Sequence, residues 1–216
     1  MNKELHYILR EPLVEIKNPP VLFLLHGYGS NEQDLFSFAP HLPKELLIVS
    51  LQAPISMGFG SYAWFEINFD APSGLRNNIQ QAKQALKQIE NLIKEISIKH
   101  KVDAKKRFLL GFSQGAFLSY LYAFKNPDFI KNYVCLSGYL TEELLKDFAV
   151  KDRYPKLDFF TSHGTQDQII PIEKAREIPK ILDKYQVNYI FKEYPVGHGV
   201  SPQNFEDFKN WITKKL

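Results

Sequence analysis

The stretch RFLLGFSQGAFLSYLYAF, residues 107–124, decides the fold. It opens on an apolar run, turns at Gly111-Phe112-Ser113-Gln114-Gly115, and continues at once in a segment rich in Ala, Leu, Phe and Tyr. The run over 107–112 has no period-2 alternation, which predicts a strand buried on both faces of a parallel sheet. The segment from Gln114 to Lys125 predicts a buried helix. A G-x-S-x-G at such a junction holds its serine in a strained backbone conformation, while the flanking glycines leave room for the neighbouring chain. The Ser113 hydroxyl is thereby presented above the carboxyl edge of the sheet, and the helix N-terminus beneath it favours negative charge. The bare pattern occurs by chance; the strand before it and the helix after it make Ser113 a candidate nucleophile.

Working outward, the same alternation recurs. Further strands are expected at VLFLL (21–25), LLIVSL (46–51), NYVCLS (132–137), LDFFTS (157–162) and NYIFKEY (188–194). HYILREPLVEI (6–16) is an additional candidate for an edge or antiparallel strand. Leu75, Ile79, Ala82, Leu86, Ile89, Ile93 and Ile96 step by three or four residues and trace one face of a long amphipathic helix. Ser201-Pro202 reads as an N-cap with proline at the first helical position, and Phe205, Phe208 and Ile212 give that last helix its buried stripe. Strands alternating with covering helices imply an α/β layer fold, a mainly parallel central sheet with helices on both faces. No repeat or linker divides the chain, so residues 1–216 are expected to form a single domain. Strand order is not legible at this level.

Composition narrows the function classes. With 27 basic and 24 acidic residues spread along the chain, the net charge of +3 gives no reason to expect nucleic acid. The one cysteine, Cys135, can form no internal disulfide and lies in the apolar YVCLSG, where a buried thiol is the expectation. The N-terminal MNKELHYILREP lacks the apolar stretch of a signal peptide, and Val21–Leu25 is too short to span a bilayer. A cytoplasmic protein without integral membrane association is expected.

A serine hydroxyl needs a base. Six histidines are available, His6, His26, His41, His100, His163 and His198. In folds with this elbow the partners follow in the order serine, acid, histidine, which leaves His163 and His198. His198 lies between two glycines in YPVGHGVSP, after the last strand and before the last helix, on a loop at the edge where Ser113 should emerge. His163 sits at the end of its own strand and is expected to be a hydrogen-bonded structural residue. The acid should come from the loop after the preceding strand, and LDFFTSHGTQDQIIP supplies Asp167, just before a helix opening at Pro171. Asp158 starts that strand on the wrong edge, Asp152 falls in a polar connection and Asp183 on a helix face. An oxyanion hole requires pre-aimed N–H donors. One should be the backbone N–H of Gln114; the second is expected from Tyr28 in VLFLLHGYGSNEQDL, where His26 reads as a brace for the loop.

With HGYGS, LQAP, WFEI, GFSQGA, SHGTQD and GHG in order, the chain resembles the phospholipase/carboxylesterase family that includes the acyl-protein thioesterases, from about Val21 to the end. That resemblance implies a small, essentially lidless serine esterase of the α/β-hydrolase fold without a cofactor or metal, acting on a small-molecule ester. It implies Ser113, Asp167 and His198 as nucleophile, acid and base, with Tyr28 and Gln114 as oxyanion donors. Depalmitoylating members usually carry leucine where this chain has Tyr28, and a longer hydrophobic loop than ISMGFGSYA (55–63) before the WF motif. Both departures point to a small or medium acyl group. Met57, Phe59, Tyr62, Trp64 and Phe65 are candidates to wall the acyl pocket, ordinary packing or a dimer contact being the competing accounts. Ile169 joins them by resemblance. An acyl thioesterase, a lysophospholipase or a peptidase-like hydrolase would use the same residues. A binding module that kept the pocket and lost the chemistry would lack the base or nucleophile, and both positions are filled here. No pair of histidines has the HExxH spacing of a metallohydrolase.

Overall fold

The computed structural model describes residues 4–68 and 76–216, so Leu75, the first residue of the expected helical stripe, lies outside the described residues. In chain order the strands are β1 (Tyr7–Arg10), β2 (Val21–Leu25), β3 (Leu47–Leu51), β4 (Ile55–Gly58), β5 (Ser61–Ala63), β6 (Ile67–Asn68), β7 (Arg76–Asn77), β8 (Arg107–Phe112), β9 (Asn132–Leu136), β10 (Asp158–Gly164) and β11 (Asn188–Tyr194). The helices are α1 (Gln33–Phe36), α2 (Ile79–Lys99), α3 (Gln114–Lys125), α4 (Glu142–Lys146), α5 (Ile172–Ala175), α6 (Glu177–Lys184) and α7 (Pro202–Thr213).

Seven strands form the central sheet in the order β1-β3-β2-β8-β9-β10-β11. All neighbours are parallel except β1, which pairs antiparallel with β3 at the edge. Successive side chains of a strand point to opposite faces, and the strands therefore feed two cores. Val21, Phe23 and Leu25 enter one core together with residues of α2, α3 and α6; Leu22 and Leu24 enter the other with Phe208 and Ile212 of α7. Every residue of β2 and β3 is buried, which is why these runs show no alternation in sequence. At the far edge β11 has a single neighbour and shows a mixed pattern of burial.

The last helix carries the cap expected from the sequence, and α2 is also capped by a side chain. The Asn78 side chain accepts from Gln81 N–H at the start of α2, whose inward stripe is Ala82, Leu86, Ile89, Ile93 and Ile96. Ser201 accepts from Asn204 N–H, with Pro202 at the first position of α7. In α3 every residue from Gln114 to Phe124 is buried, because the helix lies between the sheet and α2.

Two features depart from the sequence reading. β10 runs on to Gly164, since it pairs with β11 along its whole length from Asp158↔Asn188 to Gly164↔Tyr194. The 55–63 loop is a hairpin, β4 against β5, turned by Gly58, Phe59 and Gly60 at φ 87°, 51° and 75°. The carboxyl ends of β2, β8, β10 and β11 all open on one edge, and the four candidate loops leave from them.

Candidate active site

Ser113 has φ 53° and ψ −112°, a conformation that costs a non-glycine residue about 1–3 kcal/mol. It is held from both sides: its N–H donates to Leu136 O of β9 at 2.9 Å, and its carbonyl accepts from Phe117 N–H of α3 at 3.0 Å. The turn also requires α3 to cross β2 closely. A Cβ on Gly115 would lie 2.0 Å from Leu25 O, so only glycine fits there.

The structure brings Ser113, His198 and Asp167 together. Ser113 Oγ is 2.9 Å from His198 Nε2, and His198 Nδ1 is 2.7 Å from Asp167 Oδ2. The Asp167 carboxylate is fully buried, and its Oδ1 accepts from Ile169 N–H at 2.9 Å and Ile170 N–H at 2.8 Å. A carboxylate so fixed takes the Nδ1–H of His198 and leaves the Nε2 lone pair toward the serine hydroxyl. The loops carrying Asp167 and His198 are sewn together, Thr165 N–H to Tyr194 O at 2.8 Å and Gln166 N–H to Val196 O at 3.0 Å. They touch at Gly164, where a Cβ would come within 2.3 Å of Gly197 O. The His198 ring rests on Phe112, centroids 5.0 Å apart.

His163 lies closer to this chemistry than its sequence position suggested. Its Nε2–H donates to Ile170 O at 2.8 Å and is 3.2 Å from Asp167 Oδ2. Burial pushes its pKa below the usual 6.5, so the ring is neutral at pH 7. Nδ1 has no partner among the described residues. A histidine four residues before the acid, at the end of the strand feeding its loop, was the available signal.

The loop after β2 is braced on three sides. His26, fully buried and with its pKa lowered by burial, donates from Nδ1 to Gly27 O at 2.7 Å and accepts Ala53 N–H at Nε2, 3.1 Å away. Gly29 N–H donates to Tyr62 O at 2.9 Å and Tyr62 N–H to Ser30 O at 2.8 Å, so the β4–β5 hairpin is pinned to this loop. The Gln114 side chain, buried beside the serine, clamps the WF segment: its Oε1 accepts Trp64 N–H at 2.8 Å and its Nε2 donates to Phe65 O at 2.7 Å. Tyr28 and Gln114 both border the cavity into which Ser113 and His198 open.

That cavity is about 310 Å³, with an apolar wall of Phe65, Ile67, Phe117, Ile169, Ile170 and Tyr139. Of the expected substrate contacts, Phe65 is in the wall and Ile169, 58% exposed, is at the mouth. Phe59 and Trp64 are corrected. Phe59 projects fully exposed from the hairpin tip, where its left-handed turn aims it into solvent. Trp64 is fully buried behind the loop, its indole N–H donating to His26 O at 2.9 Å and its ring 5.4 Å from that of His26. Met57 is exposed on the same hairpin as Phe59, and Tyr62 braces the Tyr28 loop. Phe117, one helical turn beyond Ser113, was within reach of sequence reasoning; Ile67, Asn77 and Tyr139 come from separate loops and were not. Burial raises the pKa of the Cys135 thiol well above its usual range, which leaves it inert. Among the described residues no group of three or more His, Cys, Asp or Glu converges to hold a metal ion.

The sheet topology and the strained strand-to-helix serine place this protein among the α/β-hydrolases. Residues 14–216 match the Phospholipase/Carboxylesterase family, and the chain belongs to it. It is similar to acyl-protein thioesterase 1 of Kluyveromyces lactis, 27% identical over 91% of this chain and 92% of that protein. A carboxylesterase of Arabidopsis thaliana is 24% identical, covering 87% of this chain and 78% of that one. Among solved structures, the fold is shared with esterase PE8 (TM-score 0.84, 19% identity, 99% and 100% of the two chains). It is shared likewise with a Bacillus cereus carboxylesterase (TM-score 0.82, 20% identity, 98% and 95%). The chain is a hydrolase.

Proposed function

We propose that this protein is a serine carboxylesterase that cleaves small to medium acyl esters through Ser113, His198 and Asp167. One observation carries the reading: an unbroken hydrogen-bond path, 2.9 Å from Ser113 Oγ to His198 Nε2 and 2.7 Å from Nδ1 to Asp167 Oδ2, opens into an apolar cavity of about 310 Å³. That volume lies at the low end of ligand sites, about 300–1,000 Å³.

The reaction runs in two halves. Ser113 Oγ attacks the ester carbonyl as its proton passes to His198 Nε2. Asp167 holds the Nδ1–H of His198 and stabilises the imidazolium, its Oδ1 fixed in place by two backbone N–H groups. The N–H groups of Gln114 and Tyr28 receive the developing oxyanion; one such donor is worth about 10²–10³ in kcat. His198 then protonates the leaving alkoxide, the alcohol departs, and the same imidazole activates the water that hydrolyses the acyl-enzyme. Phe65, Phe117 and Ile170 shelter the acyl chain.

A second reading, an acyl thioesterase, draws support from the thioesterase names of several relatives. The same acyl-enzyme serves both bonds, and a lysophospholipase differs only in its alcohol. We place the whole chain in one α/β-hydrolase domain. No helix among the described residues is long and apolar enough to cross a membrane, and a lone, buried Cys135 is consistent with a cytoplasmic setting.

Initial rates on p-nitrophenyl esters and matched thioesters test the proposal. Wild type should turn over acetate or butyrate esters, and Ser113→Ala should lose about 10⁴-fold or more in kcat with little change in Tm. Equal turnover by the two proteins would exclude the mechanism; a strong preference for thioesters would favour the second reading.

A further inference from the structure

Asn77 and Tyr139 are shared by two cavities. One is the 310 Å³ space beside Ser113; the other is a larger groove of about 650 Å³ floored by Ile79, Leu140 and Leu144. The Tyr139 ring stands between them. Phe117, which lines only the space beside Ser113, packs on the ring at 5.4 Å between centroids; Lys174, which lines only the outer groove, has its ammonium 5.7 Å from the ring centre. Across the gap, Asn77 Nδ2 donates to Tyr139 Oη at 2.5 Å, joining the loop after β9 to strand β7. Asn77 Oδ1 has no partner among the described residues, so this hydrogen bond is the amide's tie to the partition.

We propose that the Asn77–Tyr139 pair is the acyl-length gate of this enzyme, the wall that ends the acyl pocket and separates it from a latent outer subsite. The inference rests on the esterase reading of Ser113. With the pair closed, an acyl chain seated from Ser113 past Phe117 stops at the phenol. With the pair removed the two spaces become continuous, and the distal methylenes of a longer chain lie along Ile79, Leu140 and Leu144. Thr141, Glu143, Asp147, Lys174 and Glu177 also line the outer groove, so a chain lying along its apolar residues ends near polar groups.

Two substrate series read the gate: p-nitrophenyl esters from acetate to palmitate, which vary the acyl chain at constant leaving group, and acetate esters of alcohols of increasing length. Wild type is compared with Tyr139→Phe, Tyr139→Ala and Asn77→Ala. Each accommodated methylene is worth about tenfold or more in kcat/KM. The ratio of decanoate to butyrate kcat/KM should therefore rise at least about tenfold in Tyr139→Ala and Asn77→Ala, and less in Tyr139→Phe, which loses the tie and keeps the ring. A ratio cancels any general loss of activity, and Asn77→Ala answers the question if Tyr139→Ala does not fold. An unchanged acyl profile in a folded variant overturns the gate while the esterase stands. A shift confined to the alcohol series also overturns it, because the wall then borders the leaving group. Wild type inactive on every ester removes the esterase reading itself.

Discussion

His163 Nε2 and Asp167 Oδ2 lie 3.2 Å apart, so a second imidazole packs against the carboxylate oxygen that His198 Nδ1 faces. The oxygen facing His198 faces both rings, and the other oxygen is saturated by Ile169 and Ile170 N–H. His163, neutral and hydrogen-bonded to Ile170 O, fixes the residue whose N–H donates to Asp167 Oδ1.

Replacing His163 with alanine should lower kcat by about 2- to 10-fold, because the hydrogen bond it loses, worth about 0.5–1.5 kcal/mol, anchors Ile170, whose N–H holds Asp167 Oδ1. KM should change little, since the ring does not border the cavity. Steady-state kinetics of His163→Ala and His163→Gln, the latter restoring a donor, check this; an unchanged kcat in the alanine variant contradicts it.

Stability should fall as pH drops below about 6.5. In the folded protein burial lowers the pKa of both His26 and His163, whereas an unfolded imidazole protonates near 6.5. Below that value the unfolded chain binds more protons at these two positions, so the unfolding free energy decreases with falling pH until the lowered folded values are reached. Thermal melts between pH 7.5 and pH 5 should show a declining Tm, with a shallower decline in His163→Gln. A flat profile would show that neither ring is held neutral.

Gln114→Ala should destabilise the protein although the residue's proposed catalytic contribution is its backbone. The change orphans Trp64 N–H and Phe65 O, at about 1–3 kcal/mol for each buried group, and Tm should fall by roughly 5–15 °C. Calorimetry alongside kcat reads both effects; an unaltered Tm would mean the clamp is dispensable.

Gly164→Ala should damage activity by separating acid from base. The new methyl would meet Gly197 O and Val196 O at 2.3 Å, and a displacement of about 1 Å at a reacting centre costs on the order of 10² in rate. A variant with full activity would show that the two loops tolerate the shift.

The sequence was most legible where local chemistry and burial act together. Ser113, with an apolar strand before it and a buried helix after it, could be read because the elbow needs those neighbours. Val21–Leu25 could be read because burial on both faces leaves no alternation. The cap at Ser201-Pro202 is a local rule that the structure follows. What escaped depends on distant segments meeting. Trp64 and Phe65 are adjacent in sequence, yet one braces His26 and the other lines the cavity. Phe59 looked like a pocket aromatic, but the left-handed turn of its hairpin carries it into solvent. Asn77 and Tyr139 are 62 residues apart and meet only through the loops that fold over the sheet edge.

The central claim is that His198 activates Ser113. The most direct measurement is to treat the protein with a fluorophosphonate and locate the adduct by peptide mass spectrometry in wild type, Ser113→Ala and His198→Ala. Modification of Ser113 in wild type, absent from Ser113→Ala and slowed by about 10³-fold or more in His198→Ala, is the predicted result. An unmodified Ser113 in folded, wild-type protein, or labelling that is indifferent to His198, would contradict it.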